Sequence, residues 1–171
     1  MKKLELPVEN KNILNRYKAG EEILIDGVLY TARDKVHFLS SHKNSWPFPL
    51  KNNGIFYTGP TPPKDKFVFG SCGPTTSSRM DSYTPELYKR GLAVTVGKGS
   101  RSRKVVRSIK NYGGLYLVAY GGCGALYGDK IVASRTVAYR ELGPQAVFRL
   151  RVENFPVVVG IDNRGKNLFN T

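Results

Sequence analysis

At 171 residues and 40% hydrophobic composition the chain is sized for one domain with a real core. No apolar run approaches the ~20 residues that cross a bilayer. Twenty-seven Lys and Arg against thirteen Asp and Glu leave a net charge of +14, which points to nucleic acid, an anionic substrate or an acidic partner surface.

The start, Met1-Lys2-Lys3, runs into LELPVENKN without the apolar segment of a signal peptide, so a cytoplasmic protein is expected. Residues 1–20 read as a lead-in with a short helical piece at 11–18, ahead of a single domain. Strand-like segments rich in Val, Ile, Tyr and Phe follow at 23–30, 54–57, 67–69, 92–96, 115–120, 131–139 and 157–161. Asp34 starts a short helix carrying His37, with Val36 and Leu39 facing inward. Residues 40–53 form a turn-rich connection whose Trp46 is read as packing on the core.

Residues 70–81, GSCGPTTSSRMD, pass from a glycine-and-proline turn into hydroxyl residues with an arginine beyond them. A helix starting near Thr75 or Thr76 would gather free N–H groups, hydroxyls and the Arg79 guanidinium at one point, which suits a carboxylate or phosphate. The same residues also suit a plain helix cap. Thr84-Pro85-Glu86 reads as a second helix start with Gly91 as its C-terminal cap. Ser102 caps a third, with Val105, Val106, Ile109 and Tyr112 on its apolar face, and a last short helix begins at Pro144. Strands and helices alternate, so an α/β or α+β fold is expected.

The run KGSRSRKVVRSIK (residues 98–110) holds six cations and no acid. A solvated helix face is its ordinary reading, and with no RNP, KH or zinc-finger signature nucleic-acid binding is a minor alternative. Cys72 and Cys123 fit a reducing compartment and have no metal-ligand spacing. Two thiols are too few to hold an iron–sulfur cluster in this chain alone. Cys72 is read as a small packing side chain.

GSCGPTTSSRMDSYTPEL, with YTARD before it and VGKG after it, closely resembles the C-terminal part or β subunit of class I fumarate hydratases, a family that includes the L-tartrate dehydratase β subunits. GVLYTARDKVHFL, GIFYTGPTPP, GLAVTVGKG, YGGCGAL, ELGPQAVFRLRVENFP and VVVGIDNRGKNL fall in the family's order, so the resemblance covers nearly the whole chain. It implies a swivelling β/β/α domain with mixed sheets and flanking helices. It also implies a 4Fe-4S cluster held by a separate α subunit and not by this chain, hence a hetero-oligomer acting on a small dicarboxylate.

By the same resemblance Arg33, Thr76, Arg79 and Lys98 contact substrate, and Thr75 transfers the proton. His37, four residues from Arg33, is a second candidate for proton transfer, set against the commoner structural role of a lone histidine. Asp81 orients the motif. Fumarate hydration to L-malate is the leading activity and tartrate dehydration the near rival. A non-enzymatic anion or nucleic-acid binding module is the reading from another class.

Overall fold

Neighbouring residues in the short strands go to opposite sides of one sheet, and two apolar layers result. The computed structural model describes residues 1–64 and 68–170. β1 (Lys2–Leu6), β2 (Glu22–Thr31), β3 (Gly54–Phe56), β4 (Val94–Gly97) and β5 (Leu115–Val118) are parallel and adjacent in that order. β6 (Ile131–Ala138) and the 15-residue β7 (Val147–Ile161) are antiparallel to their neighbours. β7 pairs with β2 along one edge and shares its other edge between β6 and β5. Strands β2, β3, β4, β5 and β7 therefore close into a five-stranded, barrel-like ring.

Closure needs β7 to bend. Gly160 is the extra residue where Tyr116 faces Ile161 while Leu117 faces Val159. A Cβ at Gly160 would lie 2.7 Å from Val118 Cγ2, so only glycine lets the two strands approach there.

Phe56, Val94, Val96, Leu115 and Leu117 fill the ring, while Ile55, Tyr57 and Tyr116 point outward beneath the helices. Each such side chain contributes about 1.5–3 kcal/mol of burial. The outer layer is covered by α1 (Asp34–His42), α2 (Thr84–Lys89) and α3 (Arg103–Tyr112), and α4 (Gly124–Asp129) follows β5. In α3 the Ser102 hydroxyl accepts from Val105 N, Val105 and Ile109 are buried, and Gly113 ends the helix at φ +73°. α2 begins where expected, but Thr84 is not its cap. A 3-10 turn (Ser77–Met80) runs into the helix, and the buried Thr84 hydroxyl donates to Met80 O at 2.8 Å.

The lead-in proves to contain β1, whose Leu4 and Leu6 enter the core, followed by the expected helical piece as a 3-10 segment (Lys11–Arg16). β7 extends ten residues before the expected 157–161. Pro144 lies inside a kinked 3-10 segment (Arg140–Gln145) and does not start a helix. Of the strand expected at 67–69, Phe67 lies outside the described residues, and Val68 and Phe69 belong to no strand. Trp46 is half-buried, packed edge-on against His37 and Phe48. The mixed α/β architecture matches expectation, with one sheet in place of several.

Candidate active site

Four parallel strands end on the same side, and the candidate residues follow those ends. Arg33 comes two residues after β2, Tyr57 and Thr58 directly after β3, and Lys98 directly after β4. Crevices outside the carboxyl ends of parallel strands are where open α/β sheets bind ligands. Residues 70–76 lie across this end outside any helix or strand. Thr58 pairs with Pro74, and Thr76 pairs with Lys98. The Thr75 N–H donates to Tyr57 O at 2.7 Å and the Ser77 N–H to Lys98 O at 2.9 Å, while Lys98 N donates to Thr75 O at 3.2 Å.

The helix expected from Thr75 or Thr76 is therefore absent. Buried amides take the nearest good acceptors, and here the ends of β3 and β4 supply them. Only the one-turn segment Ser77–Met80 follows. The Thr75 and Ser77 amides are thus unavailable to an anion, which leaves for that task the hydroxyls, the cations and the Thr76 amide, unbonded among the described residues. Thr75 and Thr76 are half-exposed, and their hydroxyls make no hydrogen bond among the described residues. Gly97 makes the crossing feasible, since a Cβ there would overlap Ser77 Oγ and lie 2.8 Å from the Tyr57 ring.

Three cations surround the segment. The Arg33 side chain lies over Gly59, next to Thr58, with Nη1 3.3 Å from where a Gly59 Cβ would stand. Its Nη2 is a loose 3.6 Å from Asp34, and its Nε is buried without a partner. An orphaned guanidinium donor at a half-buried position is a place for a carboxylate. Lys98 is exposed, with its stem 3.9 Å from the Cβ position of Gly121 beyond β5. Arg79 is exposed on the turn. Neither Lys98 nor Arg79 forms an ion pair among the described residues. The fold thus joins Thr75 and Thr76 directly to Lys98, sets Arg33 over Gly59, next to the Thr58 that pairs with Pro74, and leaves Arg79 one turn on.

His37 is placed differently. It is fully buried, enclosed by the rings of Trp46, Tyr57 and Tyr83 at centroid distances of 5.1–5.7 Å. Its Nδ1 donates to Arg33 O at 2.9 Å, and its Nε2 is buried without a partner. Burial, with the Arg101 charge adding to it, pulls its pKa down to about 4. A neutral, enclosed imidazole suits fixing the Arg33 carbonyl better than handing protons to a substrate.

Sequence reasoning overlooked Arg101. It belongs to the run read as a solvated face, and Arg103, Lys104, Arg107 and Lys110 are indeed exposed. Arg101 instead has a fully buried side chain. It donates to Asp81 Oδ1 at 2.6 Å, Thr84 Oγ1 at 2.7 Å and Thr95 Oγ1 at 3.1 Å, between the rings of Tyr57 and Tyr116. Its identity as Arg and its place in a basic run carry no signal of this.

Cys72 is buried, which pushes its thiol up to about 12, the opposite of a thiolate ligand, and Cys123 packs half-buried against the ring core. Among the described residues no three His, Cys, Asp or Glu side chains converge to hold a metal ion, and no helix is long and apolar enough to cross a membrane.

A family model described as "Fumarase C-terminus" matches residues 1–171. Fumarate hydratase 2 of Leishmania major is 34% identical over 174 residues, covering 98% of this chain and 31% of that protein. The aerobic class I fumarate hydratase of Escherichia coli K12 is 32% identical over 162 residues, covering 91% of this chain and 30% of its own length. A Methanocaldococcus jannaschii protein named for the beta subunit of L(+)-tartrate dehydratase is 34% identical over 169 residues, covering 93% of this chain and 87% of its own. The chain thus spans about a third of the fumarate hydratases it matches and most of the tartrate-named subunit.

Proposed function

The chain belongs to the fumarase C-terminal domain family, and from that premise we propose that it is the β subunit of a class I hydro-lyase that reversibly hydrates fumarate to L-malate. The observation that carries the reading is the set of uncommitted cations and hydroxyls at the carboxyl ends of β2 to β4. Arg33 and Arg79 grip the two carboxylates through bidentate bonds, and Lys98 adds a point charge. The Thr75 hydroxyl moves the proton at the carbon that gains or loses it. Nearby positive charge favours the anionic form of that hydroxyl, and Thr76 contributes a further polar contact.

The partner is a cluster-bearing α subunit, and its 4Fe-4S group supplies the Lewis acid of the reaction. The residues of this chain bind and orient the dicarboxylate. A swivel of the chain onto its partner excludes water and strengthens each charge contact.

Tartrate dehydration is the second reading, favoured by the 34% identity to the tartrate-named subunit. One substrate hydroxyl more or less can be decided by one or two side chains. The test is anaerobic co-expression with the α subunit, followed by assays on fumarate, malate and tartrate. Lyase activity that appears only in the pair, and falls ~10²–10⁴-fold in Thr75→Ala, supports the proposal. An intact cluster with no lyase activity would overturn it.

A further inference from the structure

We propose that Arg101, Asp81 and Tyr116 form a positioning clasp that holds the two loops carrying Thr75, Arg79 and Lys98 in one geometry; the inference rests on the dicarboxylate-site reading. The two loops, residues 75–81 and 98–102, are joined at three levels. At one end the backbone of Thr75 and Ser77 exchanges hydrogen bonds with Lys98. In the middle the Tyr116 hydroxyl meets Gly99 O at 2.7 Å and Ser77 Oγ at 3.0 Å, touching both loops from β5 beneath them. At the other end Asp81 accepts from Arg101 Nε and from Ser102 N, both at 2.6 Å.

The buried guanidinium also ties this clasp to the protein body. Its remaining donors go to Thr84 at the start of α2 and Thr95 in β4, and its plane sits between two tyrosine rings. The geometry demands arginine, because lysine has no planar fork to serve Asp81, Thr84 and Thr95 together. Burial pushes the Tyr116 pKa up to about 12, so its hydroxyl stays a donor across the working range.

None of the three side chains needs to touch substrate. Each would act through Thr75 and Lys98, whose placement within a fraction of an ångström decides rate. A purely structural role for the same network predicts loss of stability without a change in the kinetics of the folded enzyme. The two can be separated.

The experiment uses the reconstituted pair with Tyr116→Phe, which deletes one hydroxyl and keeps the ring. The control is Tyr17→Phe, since the Tyr17 hydroxyl donates to Lys3 O at 2.6 Å near the start of β1, away from the site. Tyr116→Phe is expected to lower kcat/KM by about tenfold to a hundredfold, with a loss of Tm comparable to the control. Tyr17→Phe should keep wild-type kinetics. In a Thr75→Ala background the kcat effect of Tyr116→Phe should shrink, because the group being positioned is gone, while its effect on KM persists through Lys98.

Arg101→Lys should reproduce the kinetic loss. If that variant fails to fold, the tyrosine pair alone decides. Wild-type kinetics in Tyr116→Phe would overturn the clasp and leave the functional reading standing. An inactive wild-type pair with its cluster intact would overturn both.

Discussion

Acidification should destabilise this protein through one histidine. His37 is fully buried, surrounded by Trp46, Tyr57 and Tyr83, with Arg101 opposing its protonation and Asp34 and the Arg33 carbonyl favouring it. Its pKa falls from the ordinary 6.5 to about 4. A depressed folded-state value means that the unfolded chain binds the proton first as pH drops. Stability is therefore intact above pH 6.5, declines by about 1.4 kcal/mol per pH unit below it, and levels off near pH 4. The full window is worth about 3 kcal/mol, a large share of a typical domain's 5–15 kcal/mol. Urea unfolding of wild type and His37→Gln at half-unit steps from pH 7.5 to 4.5 isolates this term, because the other titrating groups cancel in the difference. The wild type should lose about 2.5 kcal/mol more than the variant over that range. Parallel curves would refute the argument, and with it the enclosed, neutral imidazole.

Three other perturbations test the site and its support. Arg79→Lys keeps the charge but loses the fork, so in the reconstituted pair KM should rise about tenfold with Tm unchanged, as Arg79 is exposed; steady-state kinetics and a thermal melt check both halves. Gly97→Ala forces a methyl against Ser77 and Tyr57 and should cost about 1–3 kcal/mol in denaturant unfolding. Iodoacetamide at pH 8 should label the half-buried Cys123 in the native protein, and the buried Cys72, with its thiol near 12, only after unfolding; peptide mass mapping distinguishes them.

What was legible in the sequence was local. Runs such as ILIDGVLY and LYLV carry their strand preference in their own side chains, and Ser102 to Gly113 holds a complete helix with both caps. What was illegible depends on partners far along the chain. KKLEL is too short to announce a strand and becomes one because β2 offers an edge, while GALYGD has glycines at both places where a helix period would show. The motif around Thr75 has a local structure different from the one its own residues suggest. Its hydroxyl and proline chemistry suits a helix start, but carbonyls of Tyr57 and Lys98, some twenty residues away on either side, capture its amides. Arg101 differs from its basic neighbours only in having Asp81, Thr84 and Thr95 within reach.

On the proposed dicarboxylate reading, Asp81 also explains how such a site survives next to an acid. It follows Arg79 by two residues, and a free carboxylate there would pair with Arg79 and compete with the substrate. The structure turns it inward, and both of its oxygens are committed, one to the Arg101 guanidinium and one to Ser102 N. Its charge is cancelled inside the protein by a cation that could not serve the site in any case. Arg79 and Lys98 are left without an acid among the described residues, and Arg33 has only the loose contact with Asp34. Once the proposed closure excludes water, each uncancelled charge is worth several times its value in bulk water. Burying one ion pair beneath the motif thus leaves the positive potential above it, where the proposed reading needs two carboxylates held at once.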